Sequence, residues 1–214
     1  MKINRGNLES NKLFLKKSNL LNNDKKILEI GSGNGVMVDY LSKEGFCITG
    51  TEINDEFISF AKKQYNVDLK KMEGSRLDFP DNSFDIVLSF DVFEHIPDTD
   101  RHLQEVKRIL KPSGYYLFVT PNRWTNIPFE IIKEKSLTKW QKYHCSLHDY
   151  WQIQKRLRKH GLSMKFIKIP LVNDYFLEKI KKYLGNIGLY AIKIVNPDKL
   201  PFCLQTNFFV IAQK

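Results

Sequence analysis

The chain has 214 residues, 42% of them hydrophobic, which suits one α/β domain with a real core and excludes wholesale disorder. No run of about 18 apolar residues is present to cross a bilayer, and the opening stretch MKINRGNLESNK lacks the apolar segment of a secretory signal. The net charge of +10 is concentrated in residues 121–195, which hold 15 Lys and Arg against 5 Asp and Glu; the rest of the chain is balanced.

Short apolar runs alternate with helical patterns, the signature of a mostly parallel sheet. Residues 8–22 read as an amphipathic helix ahead of it. KILEI (26–30) is the first strand, Val36–Lys43 the first helix after it, FCITGT (46–51) the second strand and Glu56–Gln64 its helix. VDLKKM (67–72) is a weaker third strand. FDIVLSF (84–90) has the near-continuous apolar run of a strand covered on both faces. Asp100–Leu110 is a helix ended by Pro112 and Gly114, and YYLFVT (115–120) is the fifth strand. Residues 121–145 carry Trp124, Pro128, Phe129 and Trp140 without a strand period. A helix over 148–161, a strand over 163–169, an insertion over 171–204 with a helix near 174–184, and a strand over 206–213 complete the chain. The expectation is a Rossmann-like α/β fold: a seven-stranded, mostly parallel sheet with helices on both faces and an antiparallel last strand.

The sharpest motif is ILEIGSGNGV (27–36), a strand running through Gly31, Gly33 and Gly35 into a helix. Glycines let a ligand approach the backbone, and the helix N-terminus adds free N–H groups. A dinucleotide fingerprint needs a glycine where Val36 stands, and a P-loop needs Gly-Lys-Ser/Thr, which is absent. A nucleoside ligand without pyrophosphate fits better. Glu52, about 20 residues after the first glycine at the end of the second strand, stands where a carboxylate can accept both ribose hydroxyls.

These residues resemble the class I S-adenosylmethionine-dependent methyltransferases, especially the ubiquinone-biosynthesis-like small-molecule branch. The resemblance covers about 24–120 and the final strand. It rests on E-I-G-S-G-N-G (29–35), T-E-I-N (51–54), L-D-F-P-D-N-S-F-D (77–85), F-E-H-I-P-D (93–98) and R-I-L-K-P-S-G (108–114). It implies S-adenosylmethionine as cofactor and S-adenosylhomocysteine as product. Ser32 and Ile53 would join Gly31, Gly33, Gly35 and Glu52 in holding it. Glu73 would meet the adenine amine beside Gly74, where the family usually has Asp. Glu29 would reach the methionine amino end, and Ser89–Asp91, including Phe90, would line the methionine moiety.

Methyl transfer to a hydroxyl also needs a base. His95, following the fourth strand at the carboxyl edge of the sheet, is the candidate; the competing reading is that it packs or caps the next loop. No metal site is assigned, because adjacent Glu94 and His95 alone do not make one. His144 and His148, spaced i, i+4 without an HExxH pattern, read as substrate-region or capping residues. Trp124, Trp140, Tyr143, Tyr150 and Trp151 read mainly as core, with some walling an acceptor pocket.

The organisation expected is one methyltransferase domain over 1–214, with a donor-binding core at 24–120 and acceptor-side insertions at 121–151 and 171–204. The leading function is O-methylation of a small or lipid-linked molecule. RNA or protein methylation and a non-catalytic methyltransferase-like scaffold are the alternatives. The three cysteines, Cys47, Cys145 and Cys203, form no CxxC pair, so a reducing cytoplasm is the simplest setting. The basic stretch means either solvated helix faces or attraction of an anionic acceptor or a membrane surface, with nucleic acid less favoured. Over 174–184, Phe176, Leu177, Ile180, Tyr183 and Leu184 are expected on one helical face and Lys179, Lys181 and Lys182 on another, a helix that would cover the acceptor as a lid.

Overall fold

The computed structural model describes residues 7–142 and 144–214. Tyr143 and the first six residues of the N-terminal stretch lie outside the described residues. The elements in chain order are α1 (Leu8–Ser18), β1 (Lys26–Ile30), α2 (Val36–Lys43), β2 (Cys47–Glu52), α3 (Asp55–Tyr65), β3 (Lys70–Lys71) and β4 (Phe84–Phe90). There follow α4 (Thr99–Ile109), β5 (Leu110–Pro121), α5 (Arg123–Glu134), α6 (Tyr150–Lys159), β6 (Ser163–Ile167), α7 (Asp174–Ile194) and β7 (Asn207–Gln213).

The seven strands lie in the order β3-β2-β1-β4-β5-β7-β6. The first five pair in parallel. The expected antiparallel last strand, β7, inserts between β5 and β6 and runs against both. Strand periodicity explains the two cores. Leu28, Ile30, Val87, Tyr116, Phe118, Phe208 and Val210 meet Leu103 and Val106 of α4 and Ile153 and Leu157 of α6 on one face. Their alternates Ile27, Ile86, Leu88, Leu117, Val119, Phe209 and Ile211 meet Phe14 of α1 and Met37 and Leu41 of α2 on the other. Each buried aliphatic or aromatic side chain contributes roughly 1.5–3 kcal/mol relative to exposure.

Four elements differ most from the sequence reading. The fifth strand starts at Leu110 rather than 115 and runs through Pro112 and Gly114, because Phe84 of β4 pairs with Leu110 ahead of a register shift. The third strand shrinks from 67–72 to Lys70–Lys71, because it pairs with β2 only at Thr51 and Glu52. Residues 123–134 form a helix where no regular element was expected. Pro128 inside it hides the pattern, but the Asn122 side chain caps its start by accepting from Trp124 N at 3.1 Å. The helix near 174–184 runs on to Ile194, bent at Gly185, whose φ of 61° and ψ of −156° are not helical.

Candidate functional site

β1 and β4 are neighbours from which the chain leaves in opposite directions, so their carboxyl ends open the crevice where α/β sheets take ligands. A cavity of about 620 Å³ lies there. Its floor is the glycine loop between β1 and α2. Ser32 N donates to Thr51 O at 2.8 Å and Gly35 N to Ser32 O at 3.0 Å, which locks the loop against β2. Gly31, Gly33 and Gly35 all have positive φ. At Gly31 a Cβ would stand 2.5 Å from Val92 Cγ2, on the cavity wall. Gly31→Ala should cost about 1–2 kcal/mol from the left-handed backbone alone. It should also push Val92 into the cavity, so that both the melting temperature and cofactor affinity fall in calorimetry.

Glu52 does more than the sequence reading asked of it. Its Oε2 accepts from Gly33 N at 2.6 Å, and its Oε1 accepts from Ile53 N at 2.8 Å and Asn54 N at 3.0 Å. Three backbone donors thus fix an almost buried carboxylate on the cavity wall. Lone pairs remain for two ribose hydroxyls, since each oxygen can accept more than one bond. Ile53, Phe57, Met72, Ile96 and Pro97 supply an apolar slot alongside, with Glu73 and Gly74 at its rim. This combination of a fixed carboxylate, an apolar slot and a glycine floor fits a nucleoside such as that of S-adenosylmethionine.

Of the other residues expected at the cofactor, Phe90 lines the cavity, whereas Glu29, Ser32, Gly35 and Ser89 do not. Glu29 is buried in β1, and its carbonyl accepts from Ser32 Oγ at 3.2 Å. Ser89 turns its hydroxyl to the far side of β4, 2.6 Å from the Tyr116 hydroxyl. Tyr116 reaches His102 Nε2 at 2.9 Å, and His102 Nδ1 lies 2.6 Å from Gly74 O. A carbonyl can only accept, so Nδ1 carries the hydrogen, Nε2 accepts from Tyr116 and Tyr116 accepts from Ser89. Burial lowers the His102 pKa to about 4 and pushes the Tyr116 phenol up. This chain ties the Gly74 segment to β4 and β5 from beneath. Sequence reading missed it, although His102 falls on the same buried face of α4 as Leu103, Val106 and Ile109.

His95 lines the cavity with its side chain partly exposed, at the end of a 3₁₀ turn, Phe93–His95. Its Nε2 lies 4.0 Å from Glu94 Oε1. Glu94 is buried and accepts from Thr120 Oγ1 at 3.0 Å. Burial pushes its carboxyl well above the ordinary carboxylate range, and the Asp91 charge adds to this. The loop before α6 brings His144 beside His95, ring centroids 5.1 Å apart. Burial lowers the His144 pKa, and His95 lowers it further. Donor atoms of Glu94, His95 and His144 all lie within 4.8 Å of one another, close enough to share a proton or one cation. No local spacing announces this trio, since His144 stands 49 positions from His95. His148 does not join it: the two residues are not on one helix, and His148 packs against Phe93, buried, 5.3 Å between centroids.

A second cavity of about 350 Å³ adjoins the first and shares Asn7, Tyr175 and Lys179 with it. Phe129 and Ile132 of α5 and Phe176, Ile180 and Leu184 of α7 make it mainly apolar. Lys179 therefore points to the same side as the apolar residues of α7, contrary to the expectation that it shares a face with Lys181 and Lys182. Its ammonium sits 4.7 Å over the Phe129 ring, and burial lowers its pKa. Among the described residues no helix is long and apolar enough to cross a membrane.

The comparisons with known proteins agree with this geometry. Residues 28–118 match the methyltransferase domain family. The chain is 34% identical over 102 residues to a ubiquinone biosynthesis O-methyltransferase of Paramagnetospirillum magneticum, covering 45% of this chain and 41% of that protein. It is 34% identical over 109 residues to a fatty-acid O-methyltransferase of Mycolicibacterium smegmatis, covering 49% and 40%. The matched part thus spans about two fifths of the length of these curated relatives. The fold superposes on an S-adenosylmethionine-dependent methyltransferase from Aquifex aeolicus with a TM-score of 0.62 at 18% identity, over 98% of this chain and 93% of that one. It superposes on one from Mesorhizobium loti with 0.66 at 13%, over 96% and 98%. With its glycine-floored cavity at the β1–β4 switch point and its antiparallel last strand, the chain has the fold of these S-adenosylmethionine-dependent methyltransferases over nearly its whole length, and residues 28–118 match the methyltransferase domain family.

Proposed function

We propose that this protein moves the methyl group of S-adenosylmethionine to an oxygen of a small or lipid-linked acceptor. The observation that carries this reading is the mainly apolar cavity adjoining the cofactor cavity. The similarity to O-methyltransferases of ubiquinone biosynthesis and of fatty acids supports oxygen as the target. In this reading residues 24–120 hold the donor, and 121–151 with 171–204 select the acceptor within one domain.

Bound S-adenosylmethionine supplies a methyl already activated on a cationic sulfur, so the protein's main task is alignment. The glycine loop and Glu52 hold the nucleoside, while α5 and α7 hold the acceptor. His95, at the wall of the donor cavity, takes the proton of an acceptor hydroxyl. Buried Glu94 lies beside the imidazole, its Oε1 4.0 Å from His95 Nε2.

A labelled-methyl screen against cell-extract fractions, with the product identified by mass, tests the reading. An oxygen-methylated small molecule or lipid is the expected product; cofactor binding with label only in nucleic acid or protein would overturn it. The donor site is tested separately. Glu52→Ala should weaken cofactor affinity roughly 30-fold or more, because charge-assisted hydrogen bonds are worth about 1.5–3 kcal/mol each. Glu52→Gln, which keeps the size and one acceptor, should lose less. Unchanged affinity in both variants by calorimetry would remove Glu52 from the ribose.

A further inference from the structure

The bend at Gly185 splits α7 into halves with opposite duties. The first half turns Ile180 and Leu184 into the apolar cavity. The second half buries Gly188 and gives Ile192 to that cavity's wall. Its outer face holds Ile187 at 84% exposure, Tyr190 at 67%, Ile194 at 65% and Val195 at 53%. With Ala191, also exposed, these fall at i, i+3, i+4, i+7 and i+8, one stripe of a helix. Such a stripe normally faces a core. Here it faces solvent, and it contains no charged side chain. Lone exposed apolar residues need no explanation, but a contiguous stripe marks an interaction surface.

The charges nearby indicate what covers it. Residues 179–199 hold five lysines, at 179, 181, 182, 193 and 199, against one acid, Asp198. The Asp198 carboxylate is already engaged, accepting from Leu171 N at 2.8 Å and Val172 N at 3.1 Å. Lys181, Lys182, Lys193 and Lys199 are all exposed. An apolar stripe bordered by lysines, on a helix not apolar enough to cross a bilayer, is what an interfacial helix presents to anionic lipid.

From this we infer that the second half of α7 docks flat on an anionic bilayer, with Ile187, Tyr190, Ile194 and Val195 entering the headgroup–acyl boundary. Its inner face would then hold the apolar cavity against the membrane surface, next to the donor cavity. The docking itself stands without the methyl-transfer reading.

The test is co-sedimentation of the purified full chain with vesicles of phosphatidylcholine alone and of phosphatidylcholine with one third phosphatidylglycerol. Binding is expected to the anionic vesicles, weakened severalfold by 0.5 M salt. Ile187→Ser/Tyr190→Ser/Ile194→Ser should lower the partition coefficient about 30-fold or more. These side chains are exposed, so the melting temperature and cofactor affinity should be unchanged. Lys181→Gln, Lys182→Gln and Lys193→Gln should each cost about fivefold and erode the preference for anionic lipid. Tyr190→Trp should shift its emission to the blue on binding and be quenched by brominated acyl chains. Absence of binding to any vesicle overturns the inference, as does equal binding by the triple serine variant. So does a parent dimer that the serine variant converts to monomer without any lipid binding, which would make the stripe a contact between two copies.

Discussion

In a Glu94→Gln background, lowering the pH from 7 to 5 is expected to cost the fold about 3–4 kcal/mol through two buried imidazoles. His102 and His148 are both buried, and burial lowers the pKa of each to about 4 from an ordinary 6.5. The unfolded chain therefore takes up protons from about pH 6.5 downward, while the native state resists until about pH 4. The stability due to keeping these rings neutral is fully present above pH 6.5 and is lost as the pH falls towards 4. Each ring contributes a slope of about 1.4 kcal/mol per pH unit in that window. Glu94 titrates with the opposite sign. Its pKa is raised by burial and the Asp91 charge, so its contribution is fully present at low pH and is lost as the pH rises through its folded pKa. Glu94→Gln copies the protonated form and leaves the acceptor for Thr120 Oγ1, so it removes the opposing term without emptying the site. Urea midpoints at pH 7, 6 and 5 measure the effect. A flat profile in Glu94→Gln would mean that His102 and His148 are reached by protons in the native state.

The second large effect concerns His95. His95→Ala is expected to lower turnover on a hydroxyl acceptor about a hundredfold or more, the usual worth of a positioned proton acceptor. Cofactor affinity should persist, because Glu52, proposed to hold the ribose, and the glycine loop lie at the ends of β1 and β2. His144 stands beside His95 but is held neutral mainly by burial and further by His95, which makes it the poorer acceptor. A pH–rate profile separates a base from a packing residue. The parent should lose kcat on an acidic limb that His95→Ala lacks, and free imidazole should restore part of the lost rate. Full turnover in His95→Ala would place proton removal elsewhere or show that alignment alone suffices.

Of the fold, the residues alone determined β1, α2 and β4 to the residue, and the antiparallel placement of the last strand. Their signals are local and strong: an apolar run buried on both faces, glycines at a strand-to-helix turn, a pattern of period 3.6. The glycine loop and Glu52 were legible for the same reason, since a fixed spacing along β1, α2 and β2 carries them to one wall. The structure added that Glu52 also binds Gly33 N and so shapes the loop it serves. α5 was not legible, because Pro128 and its aromatic neighbours argue against a helix that the Asn122 cap and its packing stabilise. Nor was the length of α7, whose bend at Gly185 looks like an end in sequence.

Tertiary structure alone decided the rest. It turned Ser89 away from the cofactor cavity, because alternate side chains of β4 face opposite sides of the sheet. It linked Ser89, Tyr116, His102 and Gly74 into one buried chain, from four segments whose separation in sequence carries no period. It brought His144 beside His95 across 49 positions and set Lys179 over Phe129 between two cavities. Spacing in a sequence reports neighbours within one helix or strand. Contacts between elements depend on how the sheet order folds distant segments onto one edge, and only the packed chain fixes that.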